Sequence, residues 1–219
     1  MNYQGIYDYR FKDVNHAQKR IVWNEIALYV YRLTGQPKTV LDPAGGMCEF
    51  INNIPSEEKW TVDLNREFLD KYADKSIRQV IGNNLTVELP ENYFDLVFIS
   101  NFLEHLDSQI QVAAFLQRMH QSVKKNGFIV VMGPNYRYAY REYFDFADHT
   151  VCLSDLGVAE HLAGAGFSIL KIHPRFLPIS FRGGLPVNKI MAQTYLQIPF
   201  VWKFFGKQFL IIGKKQSEK

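Results

Sequence analysis

The chain has 219 residues, of which 47% are hydrophobic and 15% aromatic, as is typical of a globular protein with a substantial core. Its formal net charge of +3 is too small to argue for a nucleic-acid-binding protein. Cys48 and Cys152 provide neither a disulfide framework nor a zinc motif. No apolar run reaches about 18 residues, and the first residues lack signal-peptide character. We therefore expect a cytoplasmic protein without a transmembrane segment.

The first 37 residues are predicted to form an N-terminal helical cap. Apolar residues recur at helical spacing between Asn15 and Leu33, and Gly35 and Pro37 end the helix. The basic residues near its start have two interpretations, a solvated face or a cap over a ligand.

The stretch from Lys38 to Phe50 predicts a strand, a glycine loop and a helix N-terminus. A β-branched run ends at Asp42, a small-residue turn over 44–46 follows, and residues 47–51 can open a helix. In α/β folds this unit holds a nucleotide-like ligand. An ordinary βα turn is the alternative. The G-x-G-x-x-G spacing of dinucleotide folds is absent.

A second strand ends in another acid, Asp63, about 20 residues beyond Asp42, where a carboxylate can accept both ribose hydroxyls of an adenosine. A helix cap for residues 65–72 is the alternative role. A third strand over 77–81 leads into a polar turn at Asn83. The run from Tyr93 to Ser100 is almost continuously apolar and predicts a fourth strand that is buried on both faces.

An amphipathic helix is predicted over 108–123, a turn over 124–127 and a fifth strand over 128–132. Ser154 then caps a helix that Gly166 ends, and a sixth strand covers 167–173. A seventh strand begins at Lys207. We divide the chain into the N-terminal cap (1–37), a core (38–173), an insertion (174–206), and a last strand with its tail (207–219).

Taken in order, residues 38–132 resemble class I S-adenosylmethionine-dependent methyltransferases. The glycine loop resembles their motif I, with Ala44 and Cys48 at two positions that are usually glycine. Leu89-Pro90, Phe94-Asp-Leu-Val97 and Ser100-Asn-Phe-Leu-Glu-His-Leu106 resemble their motif II region. The resemblance implies an α/β fold with a Rossmann-like seven-stranded sheet, mostly parallel with an antiparallel last strand, and strand order 3-2-1-4-5-7-6.

The resemblance also implies S-adenosyl-L-methionine as the cofactor. Asp63 would bind the ribose, the amide oxygen of Asn83 would accept from the adenine amino group, and Phe102 would lie beside the adenine. Arg20 would approach the methionine carboxylate. The expected cofactor-binding residues are Asp42, Ala44, Gly45, Gly46, Cys48, Asp63, Leu64, Asn83, Asn84, Leu85, Ser100, Asn101 and Phe102.

The stretch from Gly133 to Leu153 is unusually aromatic and follows the fifth strand, where open α/β sheets place their ligands. Its rings could form a wall for an acceptor, and its arginines could hold phosphate or carboxylate. The alternative is an aromatic structural loop. The expected acceptor-binding residues are Tyr136, Arg137, Tyr140, Arg141, Tyr143 and, beyond the loop, Arg175.

Three residues are candidates for acid–base catalysis. We expect His149 to be the general base and Asp148 to orient it, with His105 as the second choice for the base. A structural hydrogen bond is the alternative role for His105. No metal cluster is predicted, although Asp145, Asp148 and His149 could form part of one.

The insertion over 174–206 is long for a compact domain, and insertions of this kind tend to be functional. A lid over the acceptor is the first interpretation. A peripheral membrane contact through residues 195–209 is the second, and a dimer contact or simple packing is the third. The oligomeric state is left open.

The predicted activity is methyl transfer to a hydroxyl of a small-molecule or glycan acceptor. The segments from Pro134, Arg175 and Gly206 are similar to those of small bacterial methyltransferases associated with surface-polysaccharide pathways, which favours a sugar. An inactive cofactor-binding scaffold is one alternative, because Ala44, Cys48 and Asn83 depart from the family pattern. A nicotinamide oxidoreductase is a weaker one, because a suitably placed Tyr-x-x-x-Lys is absent as well.

Overall fold

The computed structural model describes residues 5–6, 9–10, 12, 16–179 and 188–216. The strands of the described chain are β1 Thr39–Asp42, β2 Glu58–Asp63, β3 Arg78–Ile81, β4 Phe94–Ser100, β5 Val123–Pro134, β6 Phe167–His173 and β7 Gln208–Lys215. The α-helices are α1 His16–Leu33, α2 Glu49–Asn53, α3 Arg66–Tyr72, α4 Gln109–Ser122, α5 Tyr136–Ala139, α6 Asp155–Gly164, α7 Lys189–Gln197 and α8 Pro199–Phe205. Short 3₁₀ helices cover Leu103–His105 and Tyr143–Asp145.

All of these strands belong to a 7-stranded sheet with the order β3-β2-β1-β4-β5-β7-β6. The pairs from β3 to β5 are parallel, and β7 runs antiparallel to both β5 and β6. The predicted fold class and strand order are therefore confirmed. Because β1, β2, β4 and β5 run in the same direction, their carboxyl ends lie along one edge of the sheet, which we call the site edge.

Apolar side chains cover both faces of the sheet. On β4, Val97 and Ile99 belong to a core cluster with α4 and α6, while Leu96 and Phe98 belong to a second cluster with α1, α2, α7 and α8. This alternation explains why the fourth strand is apolar at almost every position.

Serine side chains cap two of the helices, and the cap at Ser154 was predicted. The Ser108 side chain accepts from the Gln111 N–H, and the Ser154 side chain accepts from the Gly157 N–H. Gly166 follows α6 with a φ of 99°. The predicted turn over 124–127 instead lies within β5, as an irregularity where the pairing moves from Phe94 with Val123 to Leu96 with Phe128.

The insertion forms two helices that pack on the core. Trp202 of α8 is buried, and its indole N–H donates to the Tyr195 carbonyl at 2.7 Å. The Tyr195 hydroxyl donates to the Phe176 carbonyl, also at 2.7 Å. Residues 180–187 of the insertion lie outside the described residues. None of the helices described is long and apolar enough to cross a membrane.

Candidate functional site

The glycine loop connects β1 to α2 at the site edge. A Cβ on Gly45 would lie 2.0 Å from the Thr61 Oγ1, so the close approach of β2 excludes any side chain there. Gly46 and Cys48 have φ values of 48° and 56°, in the left-handed region. Cys48 therefore occupies a backbone conformation that glycine adopts without strain, which explains why glycine is usual at the position it replaces.

Asp42 ends β1 and is 97% buried, with Oδ1 accepting from the Ala44 N–H at 3.3 Å. Burial is the main cause that raises the pKa of Asp42 to about 7; the Ala44 hydrogen bond opposes this rise, and the charges of Asp63 and Glu49 add to it. The site edge is therefore acidic around Asp42, and the Asp42 carboxyl group itself is buried. A cationic group beside Asp42 would stabilise its ionised form.

Asp63 ends β2 and connects two backbone segments. Its Oδ2 accepts from the Gly46 N–H at 2.9 Å and its Oδ1 accepts from the Asn65 N–H at 2.8 Å. Burial raises the pKa of Asp63 despite these hydrogen bonds. The helix-cap role belongs to Asn65, whose side chain accepts from the Phe68 N–H. A carboxylate has about four acceptor sites, so Asp63 retains acceptor capacity for a ribose hydroxyl beside these backbone donors.

The two asparagines after β3, where the adenine is expected to bind, have different hydrogen-bond environments. The Asn83 Oδ1 accepts from the Leu85 N–H at 2.8 Å and closes a local turn, so part of its acceptor capacity is already used. The neighbouring Asn84 Oδ1 is buried and lacks a hydrogen-bond partner within the described ranges. Leu85 and Phe102 pack against the same core cluster. Asn84 is thus the better-placed amide for a ligand.

Three other predicted cofactor residues lie at the site edge. Leu64 is exposed beside Asp63. Ser100 ends β4, and Asn101 follows it with a φ of 47°. Arg20 is exposed on α1, and its neighbour Lys19 pairs with Glu49 at 2.8 Å, so the contact of Arg20 with the methionine carboxylate stays a prediction.

The aromatic loop after β5 is fixed to the 3₁₀ helix after β4. The Glu104 carbonyl accepts from the N–H groups of Thr150 and Val151, at 2.9 and 3.2 Å. The Thr150 hydroxyl donates to the Leu106 carbonyl. These bonds place His105, Asp148 and His149 together at the site edge.

Asp148 pairs with residues other than the one predicted. Its carboxylate accepts from Arg10, and its Oδ2 lies 3.5 Å from the His105 Nδ1. Burial raises the pKa of Asp148, but the Arg10 hydrogen bond and the His105 and Arg10 charges together bring it below its ordinary value. The prediction that Asp148 orients His149 was wrong, because adjacent side chains here point to different partners.

His105 is held in a defined orientation. Its Nδ1 lies 2.9 Å from the Asp148 carbonyl oxygen, which can only accept, so the neutral ring donates from Nδ1 and keeps Nε2 as an acceptor. The His105 Nε2 lies 3.9 Å from the Glu104 carboxylate. Glu104 is 98% buried, and burial raises its pKa.

His149 lies deeper, among aromatic rings. Its ring stacks on Phe146 at 4.8 Å and meets Tyr143 and His105 edge-on. Its Nδ1 is buried and has no hydrogen-bond partner in the part of the chain that is described. Burial lowers the pKa of His149 to about 4, so the ring is neutral at pH 7 but weakly basic.

One group of side chains at this edge could hold a divalent cation. Glu104, His105 and His149 each offer one ligand atom, and these atoms lie within 4.8 Å of one another. Carboxylate and imidazole ligands of this kind suit zinc and other transition metals. Asp145 is exposed and does not belong to this group.

Several predicted acceptor residues have structural partners. The Arg137 guanidinium pairs with the buried Asp155 at 3.1 Å. Arg175 donates to the Gly206 and Phe204 carbonyls at 2.8 and 3.1 Å, where it holds the end of α8. Tyr143 is fully buried, with its hydroxyl donating to the Val151 carbonyl. The prediction that Tyr143 contacts the acceptor was wrong, because the ring is part of the core.

Tyr136, Tyr140 and Arg141 are exposed, and so is Arg137 despite its pairing with Asp155. The Arg141 Nε donates to the Tyr140 hydroxyl at 3.1 Å. Sequence reasoning did not assign Arg10 to the site, since its partner Asp148 lies 138 residues away. From the motif resemblance, Glu104 was expected to face the pocket together with His105, but no local pattern indicated that Glu104 is buried.

Two comparisons with known proteins agree with this geometry. Residues 41–131 match a family described as "Methyltransferase domain". A ubiquinone/menaquinone biosynthesis C-methyltransferase of Coxiella burnetii is 30% identical over 124 residues, which are 50% of this chain and 48% of the relative. The chain thus matches about half the length of the curated relatives found.

Solved structures share the fold over almost the whole chain. An S-adenosylmethionine-dependent methyltransferase from Archaeoglobus fulgidus has a TM-score of 0.68 at 21% identity, covering 98% of this chain and 100% of the other. A geranyl diphosphate methyltransferase in complex with S-adenosylmethionine has a TM-score of 0.63 at 14% identity, covering 88% and 85%. The fold is that of the S-adenosylmethionine-dependent methyltransferases. The domain match and this fold support S-adenosylmethionine as the cofactor.

Proposed function

We propose that this protein transfers a methyl group from S-adenosylmethionine to a hydroxyl of a small-molecule acceptor, with a sugar as the preferred class. The observation that carries the proposal is that two groups of residues lie along the site edge. The first is the glycine loop with Asp42 and Asp63. The second is formed by Glu104, His105 and Asp148. A cytoplasmic location and a role in polysaccharide biosynthesis are part of this proposal.

The residues that fit the cofactor lie on the β1, β2 and β3 side of the edge. Asp63 would accept from the ribose hydroxyls, Asn84 or Asn83 from the adenine amino group, and Gly46 allows close approach. The sulfonium of the cofactor supplies an already activated methyl group. The protein therefore mainly has to orient the acceptor for in-line attack and remove its proton.

We propose His105 as the general base, in preference to His149. Its Nε2 is an available acceptor in the tautomer that the Asp148 carbonyl requires. The Asp148 carboxylate, itself paired with Arg10, lies 3.5 Å from the His105 Nδ1 and orients the ring. The His149 ring packs edge-on against His105 and is a weak base, because burial lowers its pKa to about 4.

The decisive experiment is a methyl-transfer assay with mass-spectrometric detection over a panel of sugars. We expect His105→Ala to lower turnover by roughly 10²–10⁴-fold, the range for a lost acid–base group. Affinity for S-adenosylhomocysteine should stay within a few-fold of the wild type, since His105 acts on the acceptor. His149→Gln is the matched control. If that control loses turnover while His105→Ala keeps it, His149 is the base.

A chelator arm of the same assay tests the absence of a catalytic metal. Treatment with EDTA should leave turnover unchanged if His105 removes the proton directly. If activity is lost and returns with a divalent cation, the Glu104, His105 and His149 group acts through that cation.

Two rival functions have distinct outcomes. A cofactor-binding scaffold would bind S-adenosylhomocysteine in calorimetry but transfer no methyl group to any acceptor tested. A carbon acceptor, as for the Coxiella burnetii C-methyltransferase, would give a methylated product that is stable to cleavage of methyl ethers. Binding of NAD in place of S-adenosylhomocysteine would instead restore the oxidoreductase alternative.

A further inference from the structure

Acidic residues are distributed very unevenly along this chain. Between Glu160 and Glu218 there is none of the 22 Asp and Glu residues, although the same stretch holds eight of the 25 Lys and Arg. This stretch includes β6, the insertion and β7. One contiguous quarter of the sequence is therefore strongly basic in a protein whose net charge is only +3.

The two helices of this stretch expose an unusual amount of apolar surface. Phe200, Phe204 and Phe205 are 62–64% exposed, and three further apolar residues of α7 and its connection to α8 are 42–74% exposed; we call these six residues the apolar patch. The patch consists of Ile190, Met191, Ile198, Phe200, Phe204 and Phe205. A concentration of exposed aromatic rings on a folded protein indicates an interaction surface.

The patch is rigidly supported rather than loosely attached. Trp202 lies in the middle of α8, 2% exposed, and its ring meets Phe176 and Tyr29 edge-on. The Trp202 indole and Arg175 supply hydrogen bonds to the insertion backbone. Burial of Trp202 fixes one side of the short helix, while the three phenylalanines remain exposed.

Exposed lysines accompany the rings. Lys189 begins α7, and Lys203 lies on α8 with its ammonium 5.9 Å from the centre of the Phe200 ring. A lysine can rest its aliphatic stem on apolar surface while its charge reaches the lipid headgroups. Aromatic and basic residues on one surface are typical of helices that lie at a membrane interface.

We propose that the apolar patch and its lysines bind peripherally to an anionic lipid surface. The charge distribution favours this occupant over a second copy of the chain. A symmetric dimer would place the patch against itself, and its lysines would then face each other without any carboxylate from the stretch between Glu160 and Glu218. Anionic headgroups supply the missing negative charge.

This surface borders the aromatic loop of the proposed acceptor site. Lys207, two residues after Phe205, pairs with Glu142 of that loop. The Arg175 guanidinium lies 5.0 Å from the centre of the Tyr138 ring. Lipid binding goes beyond the proposed methyl transfer and is testable without it.

The test is sedimentation of the full chain with vesicles of phosphatidylcholine alone or mixed with phosphatidylglycerol. We expect binding to the mixed vesicles that weakens as salt is raised, and much weaker binding to neutral ones. The triple variant Phe200→Ser, Phe204→Ser, Phe205→Ser should bind at least about tenfold more weakly. The matched control is Leu156→Ser with Leu170→Ser, which removes two exposed leucines elsewhere and should bind like the wild type.

The charges are tested separately. Lys189→Gln with Lys203→Gln should weaken binding by about fivefold for each lysine, whereas Lys75→Gln with Lys125→Gln, two exposed lysines away from the patch, should not. Circular dichroism and urea unfolding verify that every variant is folded. Wild-type protein that ignores mixed vesicles, or a triple variant that binds them normally, would overturn the proposal. So would ultracentrifugation showing a wild-type dimer that the triple variant abolishes.

Discussion

The two halves of the site edge are built by different means. On the cofactor half, Asp42 and Asp63 accept hydrogen bonds from backbone N–H groups of the neighbouring loops. On the acceptor half, Asp148 pairs with Arg10 and with His105, side chains 138 and 43 residues away. The first half depends on local backbone geometry, and the second depends on side chains that only the complete fold brings together.

The difference has consequences for tolerance to substitution. A site formed by backbone groups is sensitive to residues that change the path of the chain, and glycines are the main ones. A site formed by buried charged pairs is sensitive to loss of one partner, because the other remains buried without compensation. The four predictions below test this contrast, from the largest expected effect to the smallest.

Removing Asp148 tests the acceptor half. Asp148→Ala leaves Arg10 and His105 without their shared carboxylate, and we expect the free energy of unfolding to fall by about 3 kcal/mol. Urea unfolding measures this loss. Asp145→Ala removes an exposed carboxylate of the same loop and should cost less than about 0.5 kcal/mol. Equal effects of the two variants would mean that the buried pairs do not hold this half together.

A methyl group on Gly45 tests the cofactor half. Because the added Cβ would meet the Thr61 Oγ1 at 2.0 Å, Gly45→Ala should destabilise the fold by about 2 kcal/mol and also displace the loop. Adding Thr61→Ala should recover part of the loss. The control is Gly164→Ala, which meets no atom within 4 Å and should be neutral or slightly stabilising. Normal stability of Gly45→Ala would contradict the close approach of β2.

Loss of the second acid should affect binding more than folding. Asp63→Ala removes a charge-assisted acceptor, and we expect S-adenosylhomocysteine to bind about 2 kcal/mol more weakly in calorimetry. Asp63→Asn keeps one acceptor oxygen, so its affinity for S-adenosylhomocysteine should lie between those of the wild type and Asp63→Ala. Asp70→Ala, on the exposed side of α3, should bind normally. Unchanged affinity in Asp63→Ala would remove Asp63 from the ribose site.

The smallest expected effect concerns pH and His173, at the end of β6. Burial lowers the pKa of His173 to about 4, so between pH 6.5 and pH 4 the unfolded chain binds a proton that the folded chain does not. Stability should therefore fall as pH decreases through this window. Replacement by Gln should reduce the fall by about 1 kcal/mol, since the partly exposed ring is screened by solvent. Identical pH profiles for wild type and His173→Gln would exclude this contribution.

The same contrast explains what the sequence could predict. The strand ends, the glycine loop and the Ser154 cap depend on neighbouring residues, and their expected positions are confirmed within a few residues. The antiparallel seventh strand followed from the family resemblance and is confirmed as well.

Partners on the acceptor half were predicted less well, because they depend on packing between distant segments. Adjacency in sequence suggested that Asp148 orients His149, whereas the loop turns the two side chains apart. Contact with the acceptor was inferred for Tyr143 from the aromatic composition of the loop and its place after the fifth strand, whereas the ring is buried. Likewise, the Arg137 guanidinium pairs with Asp155, and Arg175 donates a hydrogen bond to the Gly206 carbonyl. Sequence patterns could not reveal these three-dimensional partners.

The direction of β7 has a practical consequence for attaching labels. The strand starts at Gln208 beside the site edge and runs antiparallel to β5, so Lys215 lies at the opposite edge, where its ammonium contacts the His120 and Val123 carbonyls. A purification tag, dye or surface tether joined after Lys215 would leave the site edge open. The same group joined ahead of Arg10 would lie close to the residue whose guanidinium pairs with Asp148 at the site edge. Immobilised assays should therefore hold this protein by its carboxyl-terminal side.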